Sequence, residues 1–162
     1  MSADLQIRVA TPEDAAVIAG HRYPGEVGEH LAVYAAWLPG VMAEGRYFGW
    51  LAVQGERVVA GAGLLIVPWQ PSRTDPRPVR GRAVNVFVEP GFRRRGVARS
   101  LLIGVLAEAR LLGMPGVGLS ATAQGHSLYV SLGFRDSVGE LYLESKTDLD
   151  VTIDGSHRET PL

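Results

Sequence analysis

The sequence predicts an α/β domain built on a mixed, mostly antiparallel central sheet flanked by helices. Three observations predict it. Two apolar runs, residues 47–53 and 58–67, are joined by the polar turn Gln54-Gly55-Glu56-Arg57, which reads as a hairpin. After residue 83, strand-like and helix-like segments alternate, the pattern of crossover connections. The chain has 162 residues, 46% of them apolar, enough for one core with helices on both faces of a sheet.

The elements follow in order. Residues 5–9, Leu-Gln-Ile-Arg-Val, alternate apolar and polar and predict a strand. Thr11-Pro12-Glu13-Asp14 opens a helix: Thr11 suits the N-cap, Pro12 the first helical position and Asp14 the capping-box position. This helix is expected to reach about His21, before Tyr23-Pro24-Gly25 breaks it. Leu31, Tyr34, Ala35 and Leu38 recur at helical spacing and predict a second helix over 28–42, with Pro39-Gly40 interrupting it late. In the second hairpin strand, Gly61 and Gly63 are expected to weaken or bend the chain. Residues 69–82, rich in Pro and Arg, are expected to form a loop. A strand over 83–88 would put Val84, Val86 and Val88 on one face and Phe87 on the other.

Glu89-Pro90-Gly91 ends that strand, and the clearest helix follows over 97–112. Ala98, Leu101, Leu102, Val105, Ala109 and Leu112 form one apolar stripe, and Gly113 is a natural C-cap. A strand over 116–121, a short helix over 125–131 and a last strand around 141–144 complete the order. Residues 1–147 are thus expected as one domain and 148–162 as a polar C-terminal tail.

Composition removes several classes of function. The formal net charge is −1, so no overall pull toward nucleic acid or an anionic membrane is expected. Without cysteine there is no thiol nucleophile, disulfide or thiolate metal site. No apolar run approaches the roughly 20 residues of a membrane span, and the first residues do not read as a signal peptide, so the cytoplasm is the expected compartment. His21, His30, His126 and His157 lack metal-ligand spacing, and Asp148, Asp150 and Asp154 lack the Gly and Glu of a calcium loop; no metal is expected. Gly61-Ala62-Gly63 lacks the third glycine and helix opening of a dinucleotide site.

The chemistry is concentrated in one stretch, residues 84–102: a strand, a basic glycine-containing turn, and the start of the strong helix. The first amides of a helix have no internal acceptor and sit at the positive end of its dipole, which favours a phosphate there. Gly96 lets the backbone approach an anion closely, Ala98 is small, and Arg93, Arg94, Arg95 and Arg99 add positive potential. Taken alone, the same residues could be an ordinary strand-to-helix turn with a solvated arginine run.

In its context, this stretch resembles the GNAT superfamily of N-acetyltransferases, whose acetyl-CoA signature is Gln/Arg-x-x-Gly-x-Gly/Ala after a strand and opening a helix. Arg93, Gly96 and Ala98 fill it, and Val86-Phe87-Val88-Glu89-Pro90 is similar to the strand ending before it. Downstream, residues 119–134 are similar to the family's strand–loop–helix ending Leu-Tyr-x-x-Leu-Gly-Phe, matched by Tyr129, Gly133 and Phe134. At Thr122 the sequence departs from the Asn that many members use to bond the pantetheine arm.

The resemblance implies a GNAT-like fold, with the strands at 84–88 and 117–121 splayed to admit pantetheine. It implies acetyl-CoA as co-substrate, bound by Phe87, Val88, Arg93, Arg94, Arg95, Gly96, Val97, Ala98, Arg99 and Thr122. An amide near Val88 would polarise the thioester carbonyl, and Tyr129 would protonate the departing thiolate. A phenol of pKa about 10 is protonated at neutral pH and can serve a thiolate of pKa about 8.5. By position alone Tyr129 is equally a core aromatic between Leu128 and Leu132. Glu89 is a candidate general base, with Glu26, Glu29, His30 or a water chain as alternatives. The acceptor would be the primary amine of a small molecule, walled by residues 23–30 and 69–82. Two other readings stay open: a non-catalytic acyl-CoA sensor, and acetylation of protein N-termini or lysines. Homodimers are common in the family.

Overall fold

The structure, a computed structural model, describes residues 4–137. The strand expected around 141–144 and the tail over 148–162 lie outside those residues. The elements are β1 (Leu5–Val9), α1 (Ala15–Arg22), α2 (Glu29–Ala43), β2 (Tyr47–Gln54), β3 (Arg57–Pro68), β4 (Val79–Val88), α3 (Val97–Leu111), β5 (Val117–Gly118) and α4 (His126–Ser131). The five strands lie side by side in chain order. β1 to β4 pair antiparallel and β5 joins β4 in parallel, so the sheet is mixed and mostly antiparallel. No helix among the described residues is long and apolar enough to cross a membrane.

Two cores hold helices to opposite faces of this sheet. On one face Ala15, Ile18, Leu38 and Val41 of the first two helices pack against Tyr47 and Leu51 of β2. On the other face the α3 stripe, Val97, Leu101, Leu102, Val105 and Ala109, meets Ala60, Ala62, Leu64 and Ala83. The opening turn forms by the predicted capping box: Thr11 N–H donates to Asp14 Oδ2 at 2.8 Å. Asp14 also accepts two guanidinium hydrogen bonds from Arg8, both 2.8 Å, which tie β1 to α1. These bonds hold the Asp14 carboxyl below its ordinary range.

Four expectations are corrected. Helix α2 runs through Pro39 to Ala43 without interruption. An internal proline costs about 3 kcal/mol. Leu38 and Val41 are buried on either side of it, and burying each contributes about 1.5–3 kcal/mol, so packing outweighs the break. Gly61 and Gly63 also clear space above β3. A Cβ on Gly61 would lie 2.6 Å from His21 Nδ1, and one on Gly63 would collide with the Tyr47 hydroxyl. β4 begins at Val79, inside the expected loop, whereas β5 is limited to Val117–Gly118.

The fourth correction concerns the phase of β4. Gly61 faces Phe87 while Gly63 faces Val84, so β4 carries one extra residue in that interval. Asn85 sits there at φ 56°, a left-handed conformation that Asn tolerates better than most residues. This bulge reverses the alternation. Val84 packs into the core beneath α1 and α2, while Val86 and Val88 pack into the core beneath α3, so the three valines do not share a face.

Candidate active site

β4 and β5 pair only at Gly81–Val117 and Arg82–Gly118. Beyond Arg82 the two strands part, which leaves the rest of β4, from Ala83 to Val88, open on that edge. Glu89 N–H donates to Val59 O across the β3 side, 2.9 Å. Backbone groups of successive strand residues point to opposite edges, so the Val88 N–H and C=O face the opening. The Val88 carbonyl accepts a hydrogen bond from Arg93 Nε at 2.9 Å, fastening the following turn to the strand end.

That turn is shaped by two left-handed residues, Arg94 at φ 60° and Gly96 at φ 75°. Gly96 is the N-cap of α3 and offers no side chain to the first-turn amides. Those amides have no acceptor within the helix, so they are available to an anion. The arginines around them do different things. Arg99 Nη1 donates to Ser131 Oγ at 3.1 Å and ties α3 to α4. Arg95 places its guanidinium 5.6 Å from the centre of the Phe92 ring.

A cavity of about 560 Å³ runs along this opening. Ten of the residues expected from the sequence line it. Phe87 and Val88 come from β4; Arg93, Arg94, Gly96, Val97, Ala98 and Arg99 come from the turn and α3; Thr122 and Tyr129 come from the segment leading into α4 and from α4 itself. Two expected residues are not brought there. Arg95 turns to the Phe92 ring, and the Glu89 carboxylate is engaged by Arg57 at 2.5 Å. Glu89 therefore anchors the end of β4 to the start of β3, and its placement as a base in the site is corrected. Among the described residues, no carboxylate or imidazole lines the cavity.

Tyr129 stands on α4, half-buried, with its ring edge-on to Phe134 at 5.9 Å. Burial pushes its phenol above the ordinary value. Room for the ring depends on Gly125, where a Cβ would come within 2.9 Å of Tyr129 Cε2. Thr122 starts this segment: its backbone oxygen accepts from Gly125 N and His126 N, both 3.1 Å.

Sequence reasoning missed Val86, Phe92, Gln124, Gly125 and Leu128, which also line the cavity. Leu128 and Gly125 lie inside a recognised motif and could have been found there. Of the 23–30 segment expected to wall the acceptor, Pro24 is the single residue that lines this cavity among the described residues. The 69–82 segment lines a hollow beside β5 that shares Tyr129 with this cavity, and none of its residues lines the cavity itself. Beneath the strand, Asn85 Nδ2 donates to Tyr34 Oη at 2.8 Å and to Tyr47 Oη at 3.2 Å, pinning the bulge to α2 and β2. Among the described residues, no cluster of His, Asp or Glu is arranged to hold a metal ion.

A split β4–β5 edge that ends in a glycine-capped helix is the geometry on which family comparison bears. Residues 45–136 match the family model described as an acetyltransferase (GNAT) domain. The chain belongs to the GNAT acetyltransferase family. Among solved structures, it is similar to a GCN5-related N-acetyltransferase from Ralstonia eutropha, at 28% identity and TM-score 0.75, over 87% of this chain and 99% of that one. A predicted acetyltransferase from Clostridium acetobutylicum with acetyl-CoA has TM-score 0.80 at 20% identity, over 87% and 96% of the two chains. An aminoglycoside 6'-N-acetyltransferase from Acinetobacter haemolyticus has TM-score 0.68 at 20% identity, over 88% and 99%. These last two share the fold. No curated protein matches the sequence. The GNAT fold and N-acetyltransferase activity expected from the two motifs are those of the family.

Proposed function

We propose that this GNAT protein transfers an acetyl group from acetyl-CoA to the primary amine of a small acceptor by direct attack. One observation carries the reading: a single cavity has the unpaired amides at 97–99 at one end, the open edge of β4 along its wall, and the Tyr129 phenol beside it. The residues fit the co-substrate. Gly96 is left-handed and a Cβ there would meet nothing within 4 Å, so the turn is open enough to receive a diphosphate. Arg93, Arg94 and Arg99 supply positive potential, and the C=O and N–H groups of Val88 face the slot that a pantetheine arm would occupy.

Bound acetyl-CoA supplies an activated acyl carbon. The Val88 N–H, held at the end of β4, points where the thioester carbonyl would be polarised. An amine nitrogen bonds to the acyl carbon, the carbon–sulfur bond breaks, and the electron pair leaves on sulfur. Tyr129 Oη then gives sulfur its proton. Burial raises the phenol's pKa, so the group carries its proton at neutral pH and gives it up less readily than a free phenol would. With no carboxylate or imidazole on the wall among the described residues, the amine loses its proton to water, and the neutral amine is the reactive form.

The test is calorimetry with acetyl-CoA followed by thiol release across a set of amines. Binding with amine-dependent thiol release supports the reading. Binding without turnover on any amine would make the domain a sensor, and an absence of binding would overturn the reading altogether.

A further inference from the structure

Beside the acetyl-transfer cavity lies a second hollow, of about 600 Å³, lined by Tyr23, Glu29, His30, Val33, Tyr34 and Trp37. Its rings are inclined to one another and not stacked. Tyr23 meets His30 at 89° with centres 4.7 Å apart, Tyr23 meets Tyr34 at 90° and 6.2 Å, and Tyr34 meets Trp37 at 51° and 5.3 Å. Stacked rings would cover a face on each partner; an edge-to-face pair covers a face on only one of the two. Ring faces are electron-rich and attract cations. The Arg22 guanidinium, 5.6 Å from the centre of Tyr23, already covers a face of that ring, so Tyr34 and Trp37 are the rings left to a second cation.

The hollow also carries a negative charge. Glu29 lines it, and makes no ion pair among the described residues. Glu26 stands at the rim, 3.9 Å from His30. Trp37 and Val33 are 41% and 61% exposed, so the hollow presents apolar surface to solvent. Inclined rings in a hollow that an unpaired carboxylate also lines match an ammonium or alkylammonium group and suit an anion poorly.

The hollow lies next to the transfer cavity: Tyr23 lines one and the next residue, Pro24, lines the other, so the two walls are one peptide apart, about 3.8 Å from Cα to Cα.

From these features we infer that the hollow formed by Tyr23, Tyr34, Trp37 and Glu29 is an acceptor subsite for a second, non-reacting cationic group. The preferred acceptor is therefore a dication: a primary amine linked by a short alkyl spacer to an ammonium or quaternary ammonium group. The inference rests on the amine-acetylation reading above and narrows its acceptor.

The test compares amines that differ only at the far end, with thiol release read at saturating acetyl-CoA. Diaminoalkanes from diaminopropane to diaminohexane, and aminopentyl-trimethylammonium, are set against pentylamine, aminopentanol and aminohexanoate. At the best spacer, kcat/KM for the dication is expected to exceed that of aminopentanol about 3- to 30-fold, mainly through KM, with aminohexanoate the poorest. Trp37→Ala and Glu29→Gln, both at exposed positions, should each bring the dication-to-aminopentanol ratio toward one. Tetramethylammonium should compete with the dication more strongly than with aminopentanol. Amines acetylated with equal kcat/KM whatever their far end, or a ratio unmoved in both variants, would overturn the subsite and leave the transfer reaction standing. If none of the amines is acetylated, the underlying reading fails, and the subsite as an acceptor site fails with it.

Discussion

Replacing Gly125 by alanine tests the role of Tyr129 without touching its hydroxyl. Gly125 has φ −90° and ψ −14°, a conformation that alanine adopts without strain, so the backbone should hold. The new methyl would lie 2.9 Å from Tyr129 Cε2, 3.5 Å from Cζ and 3.6 Å from the hydroxyl oxygen. The closest of these falls about 0.5 Å short of ordinary contact, so the ring has to swing away from Gly125. A displacement of about 1 Å in a reacting group can cost about 10²-fold, so a loss of about tenfold in kcat is expected from a shift of half that size. Tyr129→Phe removes the proton donor, keeps the ring against Phe134, and should lower kcat by roughly 10²–10⁴. Single-turnover thiol release in the two variants and their combination closes the cycle. If Gly125→Ala acts by moving the acid, it should have little further effect once the hydroxyl is gone. A full tenfold penalty added on top of Tyr129→Phe would show that the methyl acts on the cavity wall. Unaltered kcat in Tyr129→Phe across the pH range would remove the phenol from the chemistry.

Other expectations follow from the same structure. Gly96→Val places a branched side chain at φ 75°, costing about 1–2 kcal/mol of stability, and should abolish the calorimetric heat of acetyl-CoA; unchanged affinity would dismiss the phosphate cradle. Asn85→Ala leaves the Tyr34 and Tyr47 hydroxyls without their donor and keeps an unfavourable φ, so urea unfolding should give a loss of about 2–4 kcal/mol, of which Asn85→Gly should recover only the backbone share. His21 is 9% exposed, and burial pushes its pKa from 6.5 down to about 4. The unfolded chain then binds more protons between those values, so stability is full above pH 6.5 and falls toward pH 4, by at most about 3 kcal/mol. Denaturation of His21→Gln should lack that part of the acid slope, and an identical slope would contradict the assignment.

Much of the turn between β4 and α3 was legible in the sequence because its parts are close in the chain. The strand ending at Val88, the turn through Gly96 and the helix from Val97 are consecutive, and backbone geometry over a few residues needs no distant partner. The same holds for Thr11 with Asp14, and for the apolar stripe of α3. Side-chain direction was less legible. Arg95 and Arg94 are adjacent and alike, yet only Arg94 lines the cavity, because the Phe92 ring offers Arg95 a face to cover. Glu89 sits at the right place in the chain for a base, but Arg57, 32 positions away, claims it.

By itself, then, the sequence determined the mixed sheet, the helices on its two faces, and the glycine-capped turn, since periodicity and turn chemistry act locally. Three things rest on tertiary contacts, the second of them anticipated only through the family resemblance. The bulge at Asn85 depends on hydroxyls from α2 and β2. The split of β4 from β5 depends on pairing that stops at Arg82. The aromatic hollow depends on α1 and α2 being packed side by side, which brings Tyr23, Tyr34 and Trp37 to inclined angles. Each is a long-range contact, and its free energy exists only once distant segments share one core.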